Sequence, residues 1–305
     1  MIKVTNEVTQ LTHVLMHTPG KEIEQLTPLN LSRLLFEDMP FLSKAIEEHK
    51  AFVKLLESKG VEVLDIQNLW REVITNPDVY NESIHTLIRD IKEKRDDVVK
   101  HVKTFLNSVS VHSFADIFIN GLRYDVVGLE MKEDVFIIDP IPNLFFQRDP
   151  MFVIGDVAVI SRMASQARFR ETFISKMVLR YHPIFKGVTI IDMNDQPYSI
   201  EGGDILLHNR MIWIGISERT QKEAIIYLNN ELIKLGKKYS IIAFELPKKR
   251  AYMHLDTILT ILDEKTYIID PLAFKHVTLY HVTETFEAID KSFETWIRDI
   301  NKEVS

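Results

Sequence analysis

The 305 residues contain no cysteine. That excludes disulfides and thiolate metal sites, and it leaves any sulfur-dependent chemistry without a nucleophile in this chain. Basic charge is also in short supply, with 37 Lys and Arg against 44 Asp and Glu for a formal charge of −7. A mildly acidic chain with no long basic block is a poor nucleic-acid binder, so no nucleic-acid partner is expected. Apolar runs are short and broken by charge, which leaves nothing to span a bilayer and no membrane partner to expect. The opening MIKVTNEVTQ lacks the apolar stretch of a secretory signal. With no address written, the cytoplasm is the expected compartment. What is present is a residue mix 46% hydrophobic and 27% charged, suited to one large core or two soluble domains.

Residues 10–66 read as strand, helix, strand. THVLMHTPG is a β-rich run, AIEEHKAFVKLLESKG is an amphipathic helix ending at Gly60, and VEVLDI follows as a strand. From about 68 to 128 the spacing becomes helical and heavily charged, as expected of a helical insertion. After residue 135 a unit of hairpin, helix and strand recurs. One copy starts at RDPMFVIGDVAVISR and returns along VTIIDM; the next starts at GGDILLHNRMIWIGIS and returns along SIIAFEL. A third starts at HLDTILTILDEKTYIID and is expected to pass into a helix over FEAIDKSFETWIRDINKE. Asp149, Asp204 and Asp256 head the three hairpins, 55 and 52 residues apart. A period near 50 predicts a propeller or another repeat array. The third copy stops after its helix, so Ser305 reads as a cut end, with an open strand edge prone to self-association.

Asp149, Glu201, His254 and Asp256 all begin strands in equivalent places. In YMHLDTILTILD, His254 and Asp256 are two residues apart, and a strand would point both to one face about 6–7 Å apart. Converging strand ends would bring all four into one strongly negative pocket. Each is equally suited to capping a turn. As a pocket, the set fits either a divalent metal or a guanidinium, whose N–H groups pair with carboxylates.

PNLFFQRDP (142–150), EGGD (201–204), ISERT (216–220) and MHLDT (253–257) together resemble the motifs of bacterial arginine deiminases, as do LMHTPGKEIEQLTP and LLFEDMP nearer the N-terminus. The resemblance runs in order along essentially the whole chain. It implies an α/β fold of the pentein type, here an incomplete α/β-propeller of hairpin–helix–strand modules over 1–305 with the helical insertion at 68–128. It also implies L-arginine or a related guanidino compound as ligand, with no cofactor and no metal. By the same resemblance, Asp149 and Asp256 grip the guanidinium. His254 acts as general acid and then base, and Glu201 orients its ring and raises its pKa. Asn143, Phe146, Arg168 and Arg219 form the outer substrate site, the arginines meeting the α-carboxylate and Phe146 covering the aliphatic stem. Gln147 stands where many relatives have Thr. Arg219 lies near a helix start, which is unfavourable for a cation and calls for a buried anion nearby. Arg168 reads equally well as a surface arginine, Phe146 as core and Asn143 as a turn residue. Amidinotransferases and methylarginine hydrolases share much of this site, and the helical insertion and ISERT favour the deiminase.

One departure is chemical. Arginine deiminases attack the guanidinium with a cysteine near their C-terminus, and this chain has none. A neutral hydroxyl attacks a resonance-stabilised cation poorly, whereas a thiolate is both nucleophilic and favoured beside the cation. The expectation is therefore a deiminase-type chain that is inactive alone and could be complemented by a polypeptide bearing the cysteine. A non-catalytic guanidino-compound-binding or assembly protein and, third, a metal-dependent hydrolase are the alternatives.

Overall fold

The computed structural model describes residues 2–303. Ser305, read above as a cut end, lies outside them. The chain divides into two compact units, one rich in helix and one built from the repeats.

The helix-rich unit comprises Leu11–Gln147 and Ser165–Lys186. It begins with β1 (His13–Met16), the short α1 (Lys21–Glu24), α2 (Leu42–Ser58) and β2 (Glu62–Asp65). β1 and β2 pair in parallel, His13 opposite Glu62. Gly60 closes α2 with φ +81°, a conformation that costs glycine little and other residues much. Four helices follow: α3 (Ile66–Val73), α4 (Pro77–Asp90), α5 (Asp96–Ser108) and α6 (Val111–Asn120). Local chemistry sets their starts. Asp65 accepts the Asn68 N–H, Asn76 precedes Pro77 and accepts the Asp78 N–H, and Ser110 accepts the Ser113 N–H. A small antiparallel pair, β3 (Leu122–Arg123) and β4 (Phe136–Ile138), and α7 (Phe169–Tyr181) complete the unit. Trp70, Phe118 and Phe173 form its aromatic centre, Trp70 and Phe118 with ring centroids 4.9 Å apart.

The repeat unit holds the residues up to Gln10, Arg148–Ala164, and those from Gly187 onward. Its first sheet has the order β5 (Met151–Ile154), β6 (Val157–Ile160), β7 (Thr189–Asp192), an antiparallel hairpin joined by a parallel third strand. The same pattern recurs in β8 (Ile205–His208), β9 (Met211–Ile216) and β10 (Ser240–Glu245), with α8 (Lys222–Lys234) between the last two. Asn209 and Arg210, both at positive φ, make the two-residue turn between β8 and β9. Ala224, Ile225, Leu228 and Leu232 of α8 pack on the apolar residues of both sheets.

The third hairpin is β11 (Leu259–Ile261) with β12 (Tyr267–Ile269), followed by the short α9 (Pro271–Phe274). Here two expectations are corrected. His254 and Asp256 do not sit on a strand, because Leu255–Thr257 form one turn of 3₁₀-helix, and β11 starts only at Leu259. The turn is held by Thr257, whose N–H and hydroxyl both bond the His254 carbonyl. FEAI is a strand as well, not the start of a helix. β13 (Thr278–Val282) and β14 (Phe286–Ile289) form a hairpin whose first strand runs antiparallel along β10, giving the sheet order β14-β13-β10-β9-β8. Phe286 packs its ring against Tyr280. The spacing of Phe286, Ile289 and Phe293 imitates a helix, yet Ser292 accepts the Thr295 N–H and starts α10 (Phe293–Glu303) there. Phe293, Trp296 and Ile297 of α10 join Trp213 and Phe244 in a second core.

Candidate active site

Three turns of the repeat unit carry the site, each leading into the first strand of a hairpin. Asp149 precedes β5. Glu201 precedes the 3₁₀ turn Gly202–Asp204, which leads into β8, and His254 and Asp256 lie in the turn before β11. Arg219 lies on the loop between β9 and α8.

Glu201 is fully buried, at 0% exposure. One carboxylate oxygen accepts the Ala164 N–H at 2.8 Å and lies 3.7 Å from Arg219 Nη1. The other lies 3.0 Å from His254 Nε2. A buried carboxylate survives only with donors on both oxygens, and here they are present. The anion that Arg219 calls for is thus Glu201 itself. His254, 5% exposed, has its other ring nitrogen 3.9 Å from Asp149 Oδ1. Burial, the largest single influence, pulls the imidazole pKa down. The hydrogen bond to Glu201 and the charges of Asp204, Asp149 and Glu201 outweigh it and raise the pKa to about 9. At neutral pH the ring is therefore an imidazolium that donates Nε2–H to Glu201. Asp256 reaches solvent but is ringed by protein, and that desolvation raises its pKa. Asp149 and Glu7 push in the same direction, and His254 and Arg148 oppose it.

The two glycines after Glu201 have steric reasons. A Cβ at Gly203 would lie 2.6 Å from His254 Nδ1 and 3.0 Å from Asp149 Oδ1, and one at Gly202 would lie 1.9 Å from the Arg148 carbonyl oxygen. Only bare backbone lets these turns approach one another. Arg148 secures the same region. It pairs bidentately with Glu7, donates Nε–H to the Gly202 carbonyl at 3.1 Å, and also bonds the Ile205 carbonyl.

Asn143, Phe146 and Arg168 gather within the helix-rich unit. Arg168 is 3% exposed, in the 3₁₀ turn just before α7, so it is not a surface arginine. It forms a forked pair with Glu171 (Nη2–Oε2 2.7 Å), and its Nη2 also donates to the Phe146 carbonyl at 3.3 Å. The Phe146 ring, 5.9 Å from the guanidinium carbon, is 47% exposed. Asn143 is buried and donates to the Leu34 carbonyl at 2.8 Å.

Sequence reasoning passed over Asp204. It is fully buried, and its pKa is raised to about 7 by burial, against the charge of His254 and hydrogen bonds from Thr220, Ser217 and the Leu255 N–H. Its place in the period with Asp149 and Asp256 was the available signal.

Chemically, the arrangement sets buried carboxylates beside a histidine ring, a combination that can pair with a cation and exchange a proton. Asp149, Glu201 and His254 also each offer one ligand atom within 4.8 Å of the others, a spacing that fits a metal ion. Such an ion would compete with a proton for a ring nitrogen of His254. Among the described residues, no helix is long and apolar enough to cross a membrane.

Comparison with known proteins gives the family. The chain is 37% identical over 298 residues to the arginine deiminase of Borrelia duttonii strain Ly, covering 92% of this chain and 72% of that protein. It is 36% identical over 288 residues to arginine deiminase 1 of Staphylococcus epidermidis, with 90% and 70% covered. Among solved structures, an amidinotransferase of the saxitoxin biosynthetic pathway from Microseira wollei superposes with a TM-score of 0.51 at 17% identity, covering 88% of this chain and 69% of that one. A binary complex of an AgrE mutant with L-arginine superposes with a TM-score of 0.50 at 15% identity, covering 87% and 28%. At those identities the superpositions speak for the α/β pentein fold alone. The arginine deiminase family profile matches residues 32–302, and the chain belongs to that family.

Proposed function

We propose that this chain carries the arginine-recognition and acid–base half of arginine deimination, the conversion of L-arginine and water to L-citrulline and ammonia. In this reading Asp149 and Asp256 hold the guanidinium, with Asn143, Phe146, Arg168 and Arg219 as the outer site. His254 protonates the departing ammonia and then takes a proton from the attacking water, while Glu201 keeps the ring charged and oriented. The single observation behind the proposal is the His254 ring, held between Glu201 at 3.0 Å and Asp149 at 3.9 Å. A raised pKa suits a group that must first act as an acid.

Attack on the guanidinium carbon calls for a thiolate, which forms a tetrahedral adduct, expels ammonia and leaves a thiouronium for water to cleave. These 305 residues hold no thiol. We infer that the sulfur comes from outside them, as on a complementing polypeptide, and that these residues alone bind without turning over. Residence in the cytoplasm is part of this proposal.

Titration calorimetry with L-arginine tests it. The expected result is saturable binding that EDTA does not change, with no citrulline released. Binding that appears only with added Zn²⁺ or Mn²⁺, and disappears with EDTA, would instead favour a metal-dependent hydrolase built on Asp149, Glu201 and His254. Citrulline release by the purified chain would overturn the requirement for an outside thiol.

A further inference from the structure

Asp204 falls in the repeat position that holds Asp149 and Asp256 in the neighbouring modules, but its carboxylate is fully buried and turned to other use. Oδ1 accepts the N–H of Leu255, the residue between His254 and Asp256, at 2.9 Å. Oδ2 accepts the Ser217 hydroxyl at 2.7 Å. Ser217 Oγ in turn accepts the N–H groups of Arg219 at 2.9 Å and Thr220 at 3.2 Å. The Thr220 hydroxyl bonds Asp204 and accepts the Glu201 N–H at 3.1 Å. One carboxylate thereby ties three separate segments together: the turn with His254 and Asp256, the loop with Arg219, and the backbone of Glu201.

We infer that Asp204 is a positioning residue, which sets the His254–Asp256 turn and the Arg219 loop in register with Glu201. The inference deepens the arginine-binding reading and rests on it for its functional meaning. The fit is tight. A Cβ at Gly215 would lie 2.1 Å from Asp204 Oδ1 and 3.1 Å from Leu255 Cβ, so a longer acid has no room. Asparagine fits the space but reverses one bond. Its amide can still accept from Leu255, whereas its NH₂ meets Ser217 Oγ, which already accepts two N–H groups. The serine proton then has no acceptor, and the loop loses its anchor.

The test is amide hydrogen exchange on the ligand-free chain, comparing wild type with Asp204→Asn and Ser217→Ala. Asp204→Asn is expected to speed exchange about tenfold or more at Leu255, Arg219 and Thr220 together, while amides of β6 and β7 keep their wild-type rates. Ser217→Ala, the milder change, is expected to affect Arg219 and Thr220 but not Leu255. A change confined to Leu255, or a uniform rise across the repeat unit, would overturn the inference. Titration with L-arginine is the second readout, with affinity in Asp204→Asn expected to fall about tenfold or more. Wild-type affinity retained by Asp204→Asn would likewise overturn it. Should wild type itself fail to bind L-arginine, the functional reading falls, and the exchange pattern alone decides the role of Asp204.

Discussion

His254 Nε2 lies 3.0 Å from Glu201 Oε2, with both side chains withdrawn from water. Glu201 keeps one oxygen on the Ala164 N–H and turns the other to the ring, so the pair is anchored to backbone on the acid side. The Glu201 partnership should therefore dominate the titration of His254. Replacing Glu201 by Gln is expected to lower the His254 pKa by about one unit or more from its value near 9. NMR titration of the imidazole checks this, and an unmoved pKa would mean that Glu201 does not govern the ring.

The pH dependence of stability follows with a definite sign. His254 holds its proton more tightly folded than unfolded, so its contribution is fully present below about pH 6.5 and is lost as pH rises through about 9. Asp204, raised from 3.8 to about 7, has the same sign over a lower window. Urea unfolding should show stability falling between pH 6.5 and 9.5 by on the order of 2–3 kcal/mol. His254→Asn should flatten most of that slope. A stability that rises over this range would contradict the arrangement.

Gly203 is the steric counterpart. With a methyl group 2.6 Å from His254 Nδ1, Gly203→Ala must displace the ring or the turn that carries it. The expected cost is about 1–3 kcal/mol in stability, as for overpacking elsewhere, with loss of L-arginine binding. Circular dichroism to verify folding, followed by calorimetry, checks both. Unchanged binding would show that the His254 turn can yield without consequence.

The strands of the first two modules were legible because short apolar runs are bounded there by turn residues, as in MFVIGDVAVI. Asp149, Glu201 and His254, which lie together in the structure, share a place at hairpin heads in the sequence. What was hidden depended on partners far along the chain. The turn at 255–257 replaces a strand with the help of the Asp204 carboxylate, about 50 residues earlier, which takes the Leu255 N–H. FEAI has helical spacing, and only its pairing with β13 makes it a strand. The burial of Arg168 rests on Glu171, three residues on, a spacing that could have been noticed.

The most direct test is the structure of this chain crystallised with L-arginine. The account predicts the guanidinium between Asp149 and Asp256, its N–H groups within hydrogen-bond reach of both carboxylates and its central carbon beside the His254 ring. L-arginine bound elsewhere, or a metal ion among Asp149, Glu201 and His254 in its place, would contradict it.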